Sequence, residues 1–391
     1  MPGRPARATP KGPDDGAGEQ PGRPGLVTLF LAGDVMVGRG IDQVLPHPGN
    51  PRLYEPFVTS AAEYVAAAEA ANGSIPKPVD FAYIWGDALG ELERRRPDVR
   101  LVNLETAVTK GEEPAPKGIN YKMNPANIGV MTAAKVDCCA LANNHVLDWG
   151  YPGFLETLET LEKAGIKGAG AGRNLRAAAA PAILPARNEG RVLVFGFGSV
   201  TSGIPRLWAA GEQEPGVNLL PDLSLQTVRA IAPEIRAAKE PGDVVVASIH
   251  WGANWGYGIS DEQAAFAHGL IDEANVDVVY GHSSHHAKAI EVYRGKPILY
   301  GCGDFLNDYE GITGYESFRD DLVLMYFPTV RASGGTLVRL TMVPFQIRNF
   351  RLNRASAADS TWLCDTLNRE GAKFGTHVHL ESDNTLRLAW N

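Results

Sequence analysis

This 391-residue chain has no cysteine framework, no long apolar run and no excess of positive charge. Its four cysteines include an adjacent pair, Cys138 and Cys139, which is not the spacing of a disulfide-stapled fold. A reduced, cytoplasmic setting is the expectation that follows. No apolar run reaches the roughly 18 residues of a membrane-crossing helix, so no membrane anchor is expected. The first residues carry no apolar signal-peptide core. The formal net charge of −8 argues against a nucleic-acid partner. The densest basic run, Arg94-Arg95-Arg96, closes a helical pattern just before Pro97 and reads as a solvated helix end. No internal repeat is visible.

What the chain does have is a soluble-domain composition, with 44% apolar and 21% charged residues. Residues 1–25 are rich in Pro, Gly, Arg and Asp and are expected to be a disordered tail, because they cannot bury enough surface to offset ordering entropy. Residues 26–391 are expected to form one domain. Apolar runs predict strands at 26–32, 99–102, 136–141, 182–184, 192–196, 244–249 and 276–280, and a hairpin over 290–300. Helical spacing marks 55–71, 88–96, 151–164, 225–239 and 261–273. Loops are expected over 110–125 and 201–219, and further strands at 322–327, 335–344 and 346–348. This alternation predicts an α/β fold, whose ligand site lies beyond the carboxyl ends of strands.

Five polar clusters sit at such ends: Gly33-Asp34, Asn103-Leu104-Glu105, Asn143-Asn144-His145, His250-Trp251-Gly252 and Gly281-His282-Ser283-Ser284-His285-His286. Asp34 is a hard oxygen donor for a divalent ion, or a turn residue beside Gly33. Glu105 shares a strand face with Asn103 and can bridge two ions; alone it reads as a solvated strand residue. Asn143, Asn144 and His145 would be costly to bury without partners, and they also fit an Asx turn capping the next helix. His145 can move a proton, with Asp148 orienting its ring or capping a helix. His250 alone reads as structural. Three histidines within residues 282–286 rarely serve packing alone, although the binding pair among His282, His285 and His286 stays open. His377 and His379 read as strand residues.

Taken together, these strings resemble the CapA family of poly-γ-glutamate capsule synthesis proteins. The strings that carry the likeness are Gly33-Asp34-Val35-Met36-Val37-Gly38-Arg39, Asn103-Leu104-Glu105-Thr106, Asn143-Asn144-His145 through Gly150, His250-Trp251-Gly252 and the histidine-rich run. The stretch from Gly295 to Leu306 also matches, with Asp304 where Asn is usual. The likeness spans residues 26–350 in unbroken order. It implies a calcineurin-like metallophosphoesterase sandwich of two mixed β-sheets flanked by helices, with a dinuclear metal centre at one edge. Carried over, Asp34 is the first ligand and Glu105 the bridge. Asn144, His250, His282 and His285 complete the ligand set, and His145 stands beside the Asn. Three features depart from the pattern. Met36 stands where phosphoesterases carry a histidine ligand, Ser283 falls on the first histidine of the last motif, and no anchor is visible.

The expected chemistry is metal-assisted hydrolysis with two divalent ions, Mn, Fe or Zn. In this scheme Asp34, Glu105, Asn144, His250, His282 and His285 hold the ions. His145, steered by Asp148, is the proton carrier. Arg39, Asn103, Lys122 and Trp251 are assigned to a small anionic or peptide-like substrate; Arg39 and Lys122 read equally as surface charges. Two alternatives stay open: chemistry on γ-glutamyl-like amide bonds, and a non-catalytic accessory role in polymer synthesis.

Overall fold

The computed structural model describes residues 25–187 and 190–391. The tail expected over 1–25 therefore lies, apart from Gly25, outside the described residues, as does part of the turn expected between Ala186 and Arg191. Two mixed sheets form the body. In the larger, Leu26–Val35 lies between the antiparallel strand Leu322–Arg331 and the parallel strand Val99–Leu104, which continues to Cys138–Ala140 and Lys167–Ala169. In the smaller, Val244–His250 lies between the parallel strands Arg191–Ser199 and Val278–His282, and Lys296–Leu299 follows.

Strand alternation explains why the sheets stack. Leu29, Leu31 and Leu101 face inward with Val192, Val194, Val244, Val246 and Tyr280, forming one apolar layer between the sheets. The intervening residues face out. Phe30, Ala32 and Val102 pack against Trp85, Phe154 and Leu161 on one side. Leu193, Phe195, Val245 and Ala247 meet Val228, Ile235, Phe266 and Leu270 of the helices Leu225–Ala238 and Asp261–Ala274 on the other. Each such fully buried large side chain contributes about 1.5–3 kcal/mol. The helix Asp261–Ala274 starts at a capping box between Ser260 and Gln263 and ends on Asn275 in the left-handed region, which fixes its length.

Several boundaries differ from expectation. The helix expected over 55–71 begins only at Ala61, because Ser60 caps it and its Glu63 closes the box. The loop expected over 110–125 contains the strand Lys122–Met123, which pairs with Ala107–Val108. The segments 335–344 and 346–348 are one strand, Leu337–Ile347, running through Pro344. His377 and His379 point to solvent from the strand Thr376–Leu380, on the face opposite buried Val378. None of the described helices is long and apolar enough to cross a membrane.

Register brings the polar ends together. Asp34 lies opposite Asn103 on one side and Asp304 on the other. In the second sheet His250 lies opposite His282. The approach of the Asp34 strand to the 301–304 turn depends on Gly33. A Cβ there would sit 1.6 Å from the Gly303 carbonyl oxygen, while the Asp34 N–H donates to that same oxygen at 2.9 Å.

Candidate metal centre

Two sets of donor atoms, each within 4.8 Å, share Asp34: Asp34 with His250 and His282, and Asp34 with His285 and Asp304. All five side chains are buried. Asp34 accepts from Asn103 Nδ2 at 2.7 Å and from the Ser283 N–H at 3.2 Å. Ser283 needs φ of +96° to present that N–H, a strained position for a residue with a Cβ, held here by the carboxylate. Burial, with Asp304 beside it, pushes the Asp34 carboxyl up to about 7. Glu105 is driven well above the usual carboxylate range by burial and then by Asp34. Among the described residues no Lys or Arg forms an ion pair with Asp34, Glu105 or Asp304.

The histidines divide by environment. Burial depresses His282 to about 3 and takes His250 well below its ordinary value, with His282 adding to the effect on His250. These rings are neutral and available as nitrogen donors. Ser248 Oγ lies 2.8 Å from His282 Nε2, which leaves Nδ1 facing His250 Nδ1 at 2.8 Å. His250 Nε2 reaches Asn144 Oδ1 at 2.9 Å and Glu105 Oε1 at 3.8 Å, so this one imidazole touches the carboxylate and amide donors as well. For His285 burial pulls the pKa down, but the Asp304 carboxylate 2.8 Å from its Nδ1 more than offsets this and the net shift is upward. His286 turns away. Its ring packs between Phe318 and Tyr257, and its Nε2 is buried without a partner.

The donor set fits divalent ions. Three buried carboxylates need positive charge, and the structure brings them the neutral imidazoles of His250 and His282, the His285 ring and an amide oxygen, with no Lys or Arg ion-paired to them among the described residues. Glu105, expected as the bridge, belongs to neither tight set; Asp34 is the residue common to both. Asp304, opposite Asp34 in register, adds a carboxylate to the second set. The Met36 side chain is buried and its Sδ accepts from Tyr309 Oη at 3.6 Å.

His145 stands at the rim. Its Nδ1 donates to Asp148 Oδ2 at 2.6 Å, and its Nε2 lies 3.7 Å from Glu105 Oε1. Burial, opposed by Asp148, takes the ring to about 4. Asp148 also accepts from the Tyr121 N–H and from Lys117 Nζ, each at 2.7 Å. Lys117 reaches the Asn144 carbonyl too, so one lysine ties Asn144 to Asp148. Asn143 is spent on structure: it donates to Asn103 Oδ1 at 3.0 Å and to Leu104 O at 2.9 Å.

Of the residues expected to hold substrate, Arg39, Lys122 and Trp251 are engaged in other contacts, and Asn103 lies within the centre. Arg39 is buried, its fork occupied by Asp308, Glu55 and the Tyr64 hydroxyl, with its guanidinium over the Tyr64 ring at 3.9 Å. Lys122 Nζ donates to Gly111 O at 2.9 Å and sits 3.9 Å over Trp149. Trp251 is in the core and donates to Tyr300 O at 3.0 Å. Asn103 lies beneath Asp34, bonded to it and to Asn143. Asp304, Lys117 and Asn254 were missed. The substitution of Asp for the usual Asn in Gly303-Asp304-Phe305 was the one available signal; nothing in sequence marks the other two. An open cleft of about 660 Å³, between Ser74, Tyr83 and Arg348, shares no residue with this centre.

A probable polyglutamine synthesis accessory protein of Mycobacterium tuberculosis is 47% identical over 369 residues, covering 94% of this chain and 97% of that relative. The PGA biosynthesis protein CapA of Bacillus subtilis is 27% identical over 82% of this chain and 72% of its own length. The capsule biosynthesis protein CapA of Bacillus anthracis is 24% identical over 82% of this chain and 68% of its own. Residues 28–309, which hold every donor described above, match the family described as bacterial capsule synthesis protein PGA_cap, and the chain belongs to that family.

Proposed function

We propose that this protein is a metal-dependent hydrolase with two divalent ions, acting on a small anionic or peptide-like substrate. The observation that carries this reading is the burial of Asp34, Glu105 and Asp304 together, with no Lys or Arg ion-paired to them among the described residues. Asp34, Asp304 and His285 would hold one ion; Asp34, His250 and His282 would hold the other, with Asn144 and Glu105 beside them. The ions, once bound, would polarise a substrate oxygen and make water a better nucleophile near neutral pH.

The chain's own part is orientation and proton movement. Asp148 fixes the His145 tautomer with the proton on Nδ1. That leaves Nε2, on the Glu105 side, to take a proton from the attacking group and return it to the departing one. Lys117 holds Asp148 and the Asn144 carbonyl in one clamp, so the amide oxygen and the imidazole keep their spacing.

The test pairs metal analysis with substrate panels. Two equivalents of Mn, Fe or Zn per chain are expected, with turnover of phosphoesters or of γ-glutamyl amides deciding the bond type. Bound metal without turnover of either class would overturn the hydrolase reading. That result would favour a second one, an accessory role in polymer synthesis. Its support is the accessory role named for the Mycobacterium tuberculosis relative, which aligns over 94% of this chain.

A further inference from the structure

The loop after Val244–His250 grips one of the candidate ligands twice. The His285 N–H donates to the Asn254 carbonyl at 2.9 Å, and the Asn254 side-chain amide lies 3.0 Å from His285 Nε2. On the other edge of the ring, Nδ1 faces Asp304 Oδ1 at 2.8 Å. We propose that Asn254 is a positioning residue that fixes the His285 tautomer for metal binding and turns its amide as the ion arrives. The proposal rests on the metal-centre reading given above.

The reasoning is a count of protons and lone pairs. In its neutral form without an ion, His285 carries its proton on Nδ1 and donates it to Asp304. Its Nε2 is then an acceptor, and the Asn254 amide nitrogen can donate to it. A ligating nitrogen must offer a lone pair. When Nδ1 serves an ion held with Asp34 and Asp304, the proton must leave Nδ1 and Nε2 must carry one. Starting from that neutral form, His285 neither gains nor loses a proton overall. The Nε2–H now needs an acceptor, and a half-turn of the Asn254 amide brings its oxygen there. An Asn serves both states because its two ends are nearly the same shape. The side chain is exposed and has no other hydrogen bond among the described residues, so nothing opposes that turn. Its loop does not drift, because Trp255 stacks on Tyr315 with ring centres 4.0 Å apart. A histidine ligand whose second nitrogen is so held binds its ion about 10–100-fold more tightly than one whose partner is removed.

Cobalt(II) titration of the full-length chain tests this, read by absorption and by bound-metal analysis, with histidine nitrogen NMR reporting the tautomer. Asn254→Leu removes the acceptor; one of two ions is expected to weaken by about 10–100-fold, with a changed cobalt spectrum. Asn254→Asp supplies an oxygen acceptor only and is expected to restore affinity and lock the Nε2–H form. Unchanged affinity for both ions in the Leu variant overturns the assignment and leaves the metal centre standing. An Asp variant as weak as the Leu variant also overturns it, because the loss is then one of loop structure. A wild-type chain that takes up no cobalt overturns the metal-centre reading itself, and this inference with it.

Discussion

His250 and His282 stand on adjacent parallel strands, opposite each other in register and fully buried. His285 and Asp304 follow turns: one lies beyond the end of its strand in a run that includes the left-handed Ser283, the other just after Gly303 at φ +78°. Asp34 serves both pairs. The first half of the centre is therefore placed by sheet hydrogen bonding, which cannot shift without unpairing a strand. The second is held by only a short parallel pairing, of Asp304 with Asp34, and otherwise by loop contacts, from Asn254 to His285 and from Asn307 to Asp304 at 2.8 Å. The difference teaches that one fold can fix two neighbouring sites with unequal rigidity. The strand-borne site is expected to keep its ion when the loop-borne site has lost it.

Removing the shared residue should abolish that contrast. Asp34→Ala is expected to empty both sites and eliminate turnover, as metal analysis and a substrate panel would show. Gly33→Ala should act through the backbone: with a Cβ 1.6 Å from the Gly303 oxygen, a loss of at least ~3 kcal/mol in denaturant unfolding is expected, with the loop half disordered first. Asp304→Ala should sharpen the comparison. One ion is expected to be lost while the His250–His282 site retains its own, and loss of both would mean that the halves are not separable. Ser248→Ala should do the reverse and weaken the strand-borne ion by about 10-fold through release of the His282 ring.

A further effect belongs to the metal-free protein. Burial and the neighbouring Asp304 push the folded Asp34 carboxyl up to about 7 from an ordinary 3.8, so the folded state holds a proton that the unfolded state releases. Its contribution is fully present below pH 3.8 and is lost as pH rises through about 7. Asp34→Asn should therefore melt progressively higher than the wild type as pH rises from 4 to 7, when both are stripped of metal. A constant gap across that range would show that Asp34 is already charge-compensated by another group.

The sequence made the strand-borne half legible because its donors adjoin apolar runs. Val244 to Ile249 leads straight to His250, and Val278 to Gly281 leads to His282. Asp304 was obscured because it follows a glycine-rich turn and opens a strand of only three residues, Asp304–Leu306. Its role depends on lying opposite Asp34, and no local pattern shows a pairing across 270 positions. Arg39 was misplaced for the same reason: its partner Asp308 is 269 residues away, and without that knowledge a lone arginine after a metal motif reads as an anion clamp. The helix start was set too early although Ser60 and Glu63 have capping-box spacing, because the Ala-rich run after Ser60 was extended back over residues 55–59, which hold Pro56 and no alanine.

The three carboxylates beneath the rim also bear on how the chain is made. On the proposed reading, a centre that needs cations to be charged at neutral pH would make those cations reactants in folding. A chain emerging where divalent ions are scarce must close its two sheets over protonated or mutually repelling acids, and the native state then lacks the stabilisation that bound ligand supplies by mass action. Yield during biosynthesis, and survival against proteases afterward, should therefore follow the cell's supply of divalent metal even under conditions where no substrate is present.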